Sequence, residues 1–220
     1  GILAALAFNS GLPTPSFYVE GIEDIQSQDF TYANDFHLTV KHLAVAKLND
    51  EGMELRSHPV MLSKDSSLAG LKGVRNGIQF DTNLLGEFHV AGSGAGREST
   101  ASGLISDIFA LSRLNGSSPM RYPDFSKKPN LLNFDDLVFK YYVYLEVKDE
   151  PGVLALISKI FADRSIGFDK VIQKDQLGNG NVPVVIFTDP IVENEMQTAL
   201  KDLKNNPVIL SSKIIRIEDL

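Results

Sequence analysis

The sequence predicts an α+β protein, an incomplete mixed sheet-and-helix domain followed by a βαββαβ unit. Three observations carry this. Residues 138–147 alternate with the period of a strand and residues 153–161 with that of a helix, and a hairpin, a second helix and a closing strand follow. Asn115-Gly116-Ser117-Ser118-Pro119, with Asp124 to Asn130 and the flanking Pro123 and Pro129, has the turn-forming composition of a linker. Ahead of it, strands and helices are legible but complete no regular pattern. The expected divisions are residues 1–116, a linker over 117–134, and residues 135–220.

In the second part, Phe139, Tyr141, Val143, Leu145 and Val147 share one strand face, with Lys140, Tyr142, Tyr144 and Glu146 on the other, so this strand is expected to be half buried. Asp149-Glu150-Pro151-Gly152 supplies a cap and an early-helix proline. Val153, Leu154, Ile157, Ile160 and Phe161 then fall at helical spacing until Gly167 stops them. Strands follow over Phe168 to Lys174 and Val182 to Thr188, joined by the turn Gly178-Asn179-Gly180-Asn181. Asp189-Pro190 opens a second helix with Met196, Ala199, Leu200 and Leu203 on its apolar face. Glu193 and Glu195 near its start, and Lys201 and Lys204 near its end, suit the helix dipole. Val208 to Leu210 and Lys213 to Ile217 close the unit, and the order of elements is the ferredoxin-like one.

In the first part, Ile2 to Phe8 is apolar on every face with no capping residue before it. A helix there is expected to be buried and to continue upstream; a frayed terminal helix is the plainer alternative. Asn34 to Leu48 carries the helical stripe Phe36, Val40, Leu43, Ala44 and Leu48. Glu54 to Leu62, Gly77 to Phe80 and Glu87 to Val90 read as strands, and a mostly antiparallel sheet with helices on one face accommodates these pieces.

Of 220 residues, 43% are hydrophobic, enough for ordinary cores. The 21 Lys and Arg against 28 Asp and Glu leave a net charge of -7, so no broad cationic surface serves nucleic-acid phosphates or anionic lipid. Without cysteine there is no disulfide, thiolate metal site or cysteine nucleophile, and a cytoplasmic address is the default. The apolar start, despite its Ala5-Leu6-Ala7 pattern, lacks the basic flank and length of a signal peptide.

The sharpest local feature is Gly92-Ser93-Gly94-Ala95-Gly96-Arg97-Glu98-Ser99-Thr100-Ala101, between a strand and a helix with Ala101, Leu104, Ile105 and Ile108 on its apolar side. Glycines there let backbone amides approach an anion at a helix start. The spacing is neither the dinucleotide fingerprint nor a P-loop, and it is not that of a nucleophile elbow around Ser93. By spacing alone it reads as a tight strand-to-helix turn. His37, His42, His58 and His89 show no metal-ligand spacing, and Asp135, Asp136 and Asp163 lie in no apolar context that would shift a carboxylate. No catalytic constellation emerges from the residues.

Tyr18-Val19-Glu20-Gly21-Ile22, Val40-Lys41-His42-Leu43-Ala44, Val74-Arg75-Asn76-Gly77-Ile78 and Gly92 to Ala101 together resemble the homoserine dehydrogenase family in order and content. The second part resembles the ACT domain fused to many of its members, through Leu145-Glu146-Val147, Asp149 to Ala155, Val171-Ile172-Gln173 and Pro183-Val184-Val185-Ile186. These matches span nearly the whole chain. The resemblance implies the C-terminal part of such an enzyme: part of its substrate and dimerisation domain, then an ACT regulatory domain. Members use NAD or NADP to interconvert L-aspartate 4-semialdehyde and L-homoserine, toward threonine and methionine. By the resemblance, the nucleotide-binding domain and the catalytic lysine precede Gly1, so the chain alone is expected to be inactive and to hold no cofactor tightly, and NAD and NADP both stay open. It makes Gly96 and Thr100 cofactor contacts of the intact enzyme, with Gly94 and Ala95 shaping the turn. Ser99 stands where the family usually has Pro, Gly77 where it has Ala, and Thr82-Asn83 where Gly-Asp is common, which touches turn details only.

For the ACT part the resemblance implies a small amino acid, threonine foremost, bound between paired domains, with Asp149 and Gly152 as the matching residues. A carboxylate such as Asp149 can accept from an ammonium, and helix-start amides near Gly152 can hold a carboxylate. Asp149 acting only as a helix cap is the equal alternative. For the whole chain, a stand-alone amino-acid-binding sensor or assembly module stands as the alternative. Exposed sheet edges in both parts invite pairing, so a dimer or larger homo-oligomer is expected.

Overall fold

The computed structural model describes residues 1–12, 17–114, 123–178 and 180–220. Residues 117–122 of the expected linker, with 115 and 116 before it, and Asn179 of the expected hairpin turn lie outside the described residues. In chain order the elements are α1 (Ile2–Phe8), β1 (Tyr18–Val19), α2 (Ser27–Asp35), β2 (Leu38–Leu48), β3 (Met53–Ser63), β4 (Arg75–Thr82), β5 (Gly86–Ser93), α3 (Arg97–Arg113), β6 (Val138–Lys148), α4 (Val153–Ala162), β7 (Phe168–Gln173), β8 (Asn181–Thr188), β9 (Ile191–Val192), α5 (Glu193–Lys204) and β10 (Ile209–Glu218).

From β6 onward the order is βαββαβ apart from the short β9, and the four long strands lie as β10-β6-β8-β7 with every neighbour antiparallel. Phe139, Tyr141, Val143, Leu145 and Val147 meet Val153, Ile157 and Phe161 of α4 and Met196, Ala199 and Leu203 of α5 in one core. Each such side chain contributes about 1.5–3 kcal/mol on burial, so this layer anchors the unit. The half-buried reading of β6 is corrected by the opposite face: Tyr142 and Tyr144 are also buried, in a second core with Ala33 and Tyr32 of α2. The sheet is therefore sandwiched, α4 and α5 on one side and α2 on the other. Two boundaries also move. Ile191 and Val192 pair with Phe139 and Val138 before α5 begins, so the helix opens at Glu193 and not at Asp189-Pro190. The two closing runs are one strand, β10, with a register shift between Ile209 and Ser211.

The helix expected over Asn34 to Leu48 is absent. α2 lies upstream, closed by a reciprocal cap in which the Gln26 amide donates to Asp29 Oδ2 at 2.7 Å, and it ends at Asp35. His37 takes a left-handed φ of 58°, which redirects the chain, and β2 then pairs with β3 from Leu38↔Ser63 to Leu48↔Met53. Thr39, Val40 and Val45 are β-branched and stiff, and full pairing along an eleven-residue partner outweighs a chance helical stripe.

Nor do the first part's strands build a mostly antiparallel sheet of their own. β3 runs parallel to β1 at Arg56–Ser57 and to β10 at Val60–Leu62. With β2 on its other side, β3 extends the second part's sheet into one mixed, eight-stranded sheet. β4 and β5 form a separate hairpin that leads into α3, and α3 buries none of its side chains. α1 buries Ala4 and Ala5 but leaves Ile2 71% and Leu3 61% exposed, so burial on every face is not what the helix shows. Among the described residues no helix is long and apolar enough to cross a membrane.

Candidate functional site

The glycine-rich stretch becomes a three-residue turn, Gly94-Ala95-Gly96, between β5 and α3. Gly96 sits at φ 121°, a conformation that favours glycine. The Gly94 amide donates to the Val74 carbonyl at 2.7 Å, and a Cβ on Gly94 would stand 2.1 Å from the Asn76 side chain, so the turn is tied closely to the hairpin. The first intrahelical bond runs from the Thr100 amide to the Gly96 carbonyl at 3.1 Å, which leaves the amides of Arg97, Glu98 and Ser99 without helical acceptors. Thr100 Oγ1 donates to the Gly96 carbonyl at 2.9 Å, and Ser99 Oγ to the carbonyls of Gly96 and Ala95 at 3.0 and 3.1 Å. Both hydroxyls thus spend their proton on backbone and can only accept from a ligand. The turn is exposed, with Arg97 and Glu98 beside it. Its residues fit one open wall of a dinucleotide site: free amides suit a phosphate oxygen and Thr100 Oγ1 suits a ribose hydroxyl.

Asp149 and Gly152 lie in the loop between β6 and α4, both exposed. Gly152 occupies the N-cap position at φ 92°, and no side chain caps α4. Asp149 instead accepts from Gln176 Nε2 at 3.3 Å. The capping reading of Asp149 is therefore not how this helix start is built.

The densest electrostatics, missed in the sequence, line the seam where the first part joins β10. Arg216, 1% exposed, donates to both carboxylate oxygens of Glu193 at 2.7 and 2.6 Å, to Glu20 Oε2 at 2.7 Å and to the Tyr18 hydroxyl at 3.1 Å. The Tyr18 and Phe134 rings, stacked on each other at 3.6 Å, lie beside its guanidinium with centroids at 5.0 and 4.9 Å. Burial works to lower its pKa, but the bonds and charge of Glu193 win and raise it, and the same bonds hold Glu193 below the usual carboxylate range despite its burial. Burial and the Glu20 bond push the Tyr18 phenol up to about 12. A second set lies alongside: Arg56 donates to Glu218 at 2.7 Å, to Glu54 at 2.7 Å and to His58 Nε2 at 2.9 Å. His58 Nδ1 donates to the Pro59 carbonyl at 2.9 Å, so its ring is held neutral. Burial, reinforced by Arg216 and Arg56, lowers its pKa to about 4. The signal available in the sequence is Arg216 among Ile214, Ile215 and Ile217, and Arg56 and His58 just ahead of the apolar run Val60-Met61-Leu62. His37, His42 and His89 are exposed, as are Asp135, Asp136 and Asp163. No group of three acidic, His or Cys side chains among the described residues could hold a metal ion.

These features define a class: a ferredoxin-like module fused by a shared sheet and a buried charge seam to part of another α+β unit. Residues 1–109 match the family profile of homoserine dehydrogenase. The chain is 35% identical to homoserine dehydrogenase of Helicobacter pylori, over 99% of the chain and 52% of that protein, and 32% identical to that of Pseudomonas aeruginosa, over all of the chain and 52% of the relative. A crystal structure of a homoserine dehydrogenase from Thiobacillus denitrificans superposes with a TM-score of 0.87 at 27% identity, covering 99% of this chain and 51% of that one. The chain belongs to the homoserine dehydrogenase family, and it spans about half the length of the relatives it matches.

Proposed function

We propose that the chain is the C-terminal part of an NAD(P)-dependent homoserine dehydrogenase, interconverting L-aspartate 4-semialdehyde and L-homoserine in the cytoplasm. The observation carrying this is the superposition of 99% of the chain on a homoserine dehydrogenase. The cofactor would carry the hydride, giving it up when the semialdehyde is reduced and accepting it when homoserine is oxidised. In this reading Gly96 and Thr100 border the cofactor, with Gly94 and Ala95 fixing the turn, and the catalytic groups lie upstream. The βαββαβ unit acts as an ACT domain that binds threonine or a similar small amino acid at Asp149 and Gly152, in a dimer or larger homo-oligomer. A stand-alone sensor is the weaker reading, because the family match over residues 1–109 lies outside that unit.

The test is steady-state kinetics of the full-length polypeptide with both cofactors. Thr100→Val is expected to raise KM for the preferred cofactor about tenfold with little change in kcat, the loss of one hydrogen bond of about 1.4 kcal/mol. An unchanged KM removes the turn from the cofactor site, and no homoserine-dependent reduction of NAD or NADP overturns the assignment. Calorimetric titration with L-threonine, repeated on Asp149→Ala, tests the regulatory loop.

A further inference from the structure

Three of the sequence motifs meet on one path through the structure. Lys41 of β2, in the shared sheet, donates from Nζ to the Leu71 carbonyl, and Ser67 Oγ donates to Gln79 of β4 at 2.9 Å. The loop over 64–74 thus ties the hairpin of β4 and β5 to that sheet. The Leu71 side chain lies over β4 at Gly77, where an added Cβ would stand 2.5 Å from Leu71 Cδ1. Asn76, one residue earlier, points to the opposite face of the strand. Its carboxamide lies on Gly94: a Cβ on that glycine would stand 2.1, 2.3 and 2.7 Å from Asn76 Nδ2, Cγ and Oδ1.

Gly94 does not take a positive φ, so its own backbone does not require glycine, whereas that of Gly96 does. What demands a glycine at 94 is the Asn76 side chain. The carboxamide hydrogen-bonds to no described residue, so what it gives the turn is shape. On its other side Gly94 is held by the bond from its amide to the Val74 carbonyl at 2.7 Å. α3 buries none of its side chains, so among the described residues this turn alone fixes where the helix begins, and with it the free amides of Arg97, Glu98 and Ser99.

We propose that Asn76 is a positioning residue for the cofactor site. Its carboxamide buttresses Gly94 from the hairpin side and so sets the place of the amides at the start of α3, without itself touching the ligand. The proposal rests on the reading of the turn as a wall of the dinucleotide site. Hydrogen bonds weaken steeply with misalignment, so a turn that drifts loses its phosphate contacts although every donor is still present.

The experiment is an exchange of size at this contact, read in two ways. In the full-length polypeptide, fluorescence titration gives the Kd of NADH and NADPH without substrate. In the 220-residue chain, ¹⁵N-resolved spectra report the amides of residues 94–100. Asn76→Gly should raise the Kd of the tighter-binding cofactor about fivefold, and Gly94→Ala, whose Cβ expels the carboxamide, should do the same. The double variant should be no weaker than either single one, because the second change has nothing left to break. Asn76→Leu keeps the branched shape without the polar atoms and should bind within about twofold of the unaltered protein. The amides of residues 94–100 should shift in Asn76→Gly and Gly94→Ala and stay in place in Asn76→Leu.

Additive losses in the double variant overturn the proposal. So does an unchanged Kd in Asn76→Gly while Thr100→Val still weakens binding, which leaves the turn as a cofactor wall that needs no buttress. A loss in Asn76→Leu as large as in Asn76→Gly overturns it as well, and makes the carboxamide a direct ligand contact. If Thr100→Val and Asn76→Gly are both silent, the reading of the turn fails and the proposal fails with it.

Discussion

Arg216 and Glu193 show what a buried charge does in this protein. Neither is reachable by water, and each is tolerable only because the other is present with Glu20, Tyr18 and Tyr141 completing the hydrogen bonds. Arg216→Met should therefore cost about 3–5 kcal/mol, since it strands a buried carboxylate, and adding Glu193→Gln should recover part of that. Urea unfolding of the single and double variants measures both; a single-variant cost below about 1 kcal/mol would show that water reaches the seam. Tyr142 predicts the opposite sign. Its hydroxyl is buried with no partner, so Tyr142→Phe should leave stability unchanged or raise it by about 1 kcal/mol, a Tm increase of about 2–4 °C. His58 sets a pH dependence. It titrates near 6.5 when unfolded but near 4 when folded, so the unfolded chain binds the extra proton between those values. Stability is then fully present above pH 6.5 and falls by up to about 3 kcal/mol as pH drops to 4. Unfolding midpoints between pH 4 and 7.5 should show this slope, and His58→Gln should flatten it.

At the scale of elements, legibility followed how local the determining forces are. α4, β8 and α5 carry their own periodicity and turn residues and are legible as elements, though the pairing of Ile191 and Val192 with β6 moves the start of α5. The segment over 34–48 failed because Phe36, Val40, Leu43 and Ala44 fit a helical stripe as well as a strand, and only the partner β3 and the reversal at His37 decide the matter. The alternation of β6 predicts a half-buried strand because nothing near it announces α2 on its far face. The glycine turn was legible because glycine at φ 121° is a local requirement, whereas the seam was not: Arg216 and Glu20 are 196 residues apart and Arg56 and Glu218 are 162 apart. His37 offers a test at this scale. If its left-handed φ ends α2, His37→Val should cost about 1–2 kcal/mol, while His37→Gly should be close to neutral, because only glycine adopts that conformation freely. Equal stabilities of the two variants would mean the reversal is set elsewhere.

Across the whole molecule, burial is distributed unevenly, and the poorly covered part is the hairpin of β4 and β5 with α3. The shared sheet is covered by helices on both faces, and its central strand β6 is buried on both sides. α3 is the reverse: Leu104, Ile105, Ile108, Phe109 and Leu111 are each more than half exposed, and the hairpin of β4 and β5 that carries it leaves Val90 59% exposed. A seventeen-residue helix that buries nothing has only its own propensity to hold it, and that is marginal in water. Hydrogen exchange should therefore separate the chain into two classes. Amides of β6 and β8 should exchange only through global unfolding, while those of α3 should exchange through local opening, faster by several orders of magnitude. The glycine turn at Gly94–Gly96 should share the fast class, because its one backbone tie to Val74 belongs to the same hairpin. If the full-length polypeptide lays a further domain on this apolar face, protection of α3 should rise there and fall back in the isolated chain. Equal protection of α3 in both would show that the helix is stable uncovered, and that its apolar face is not where another domain packs.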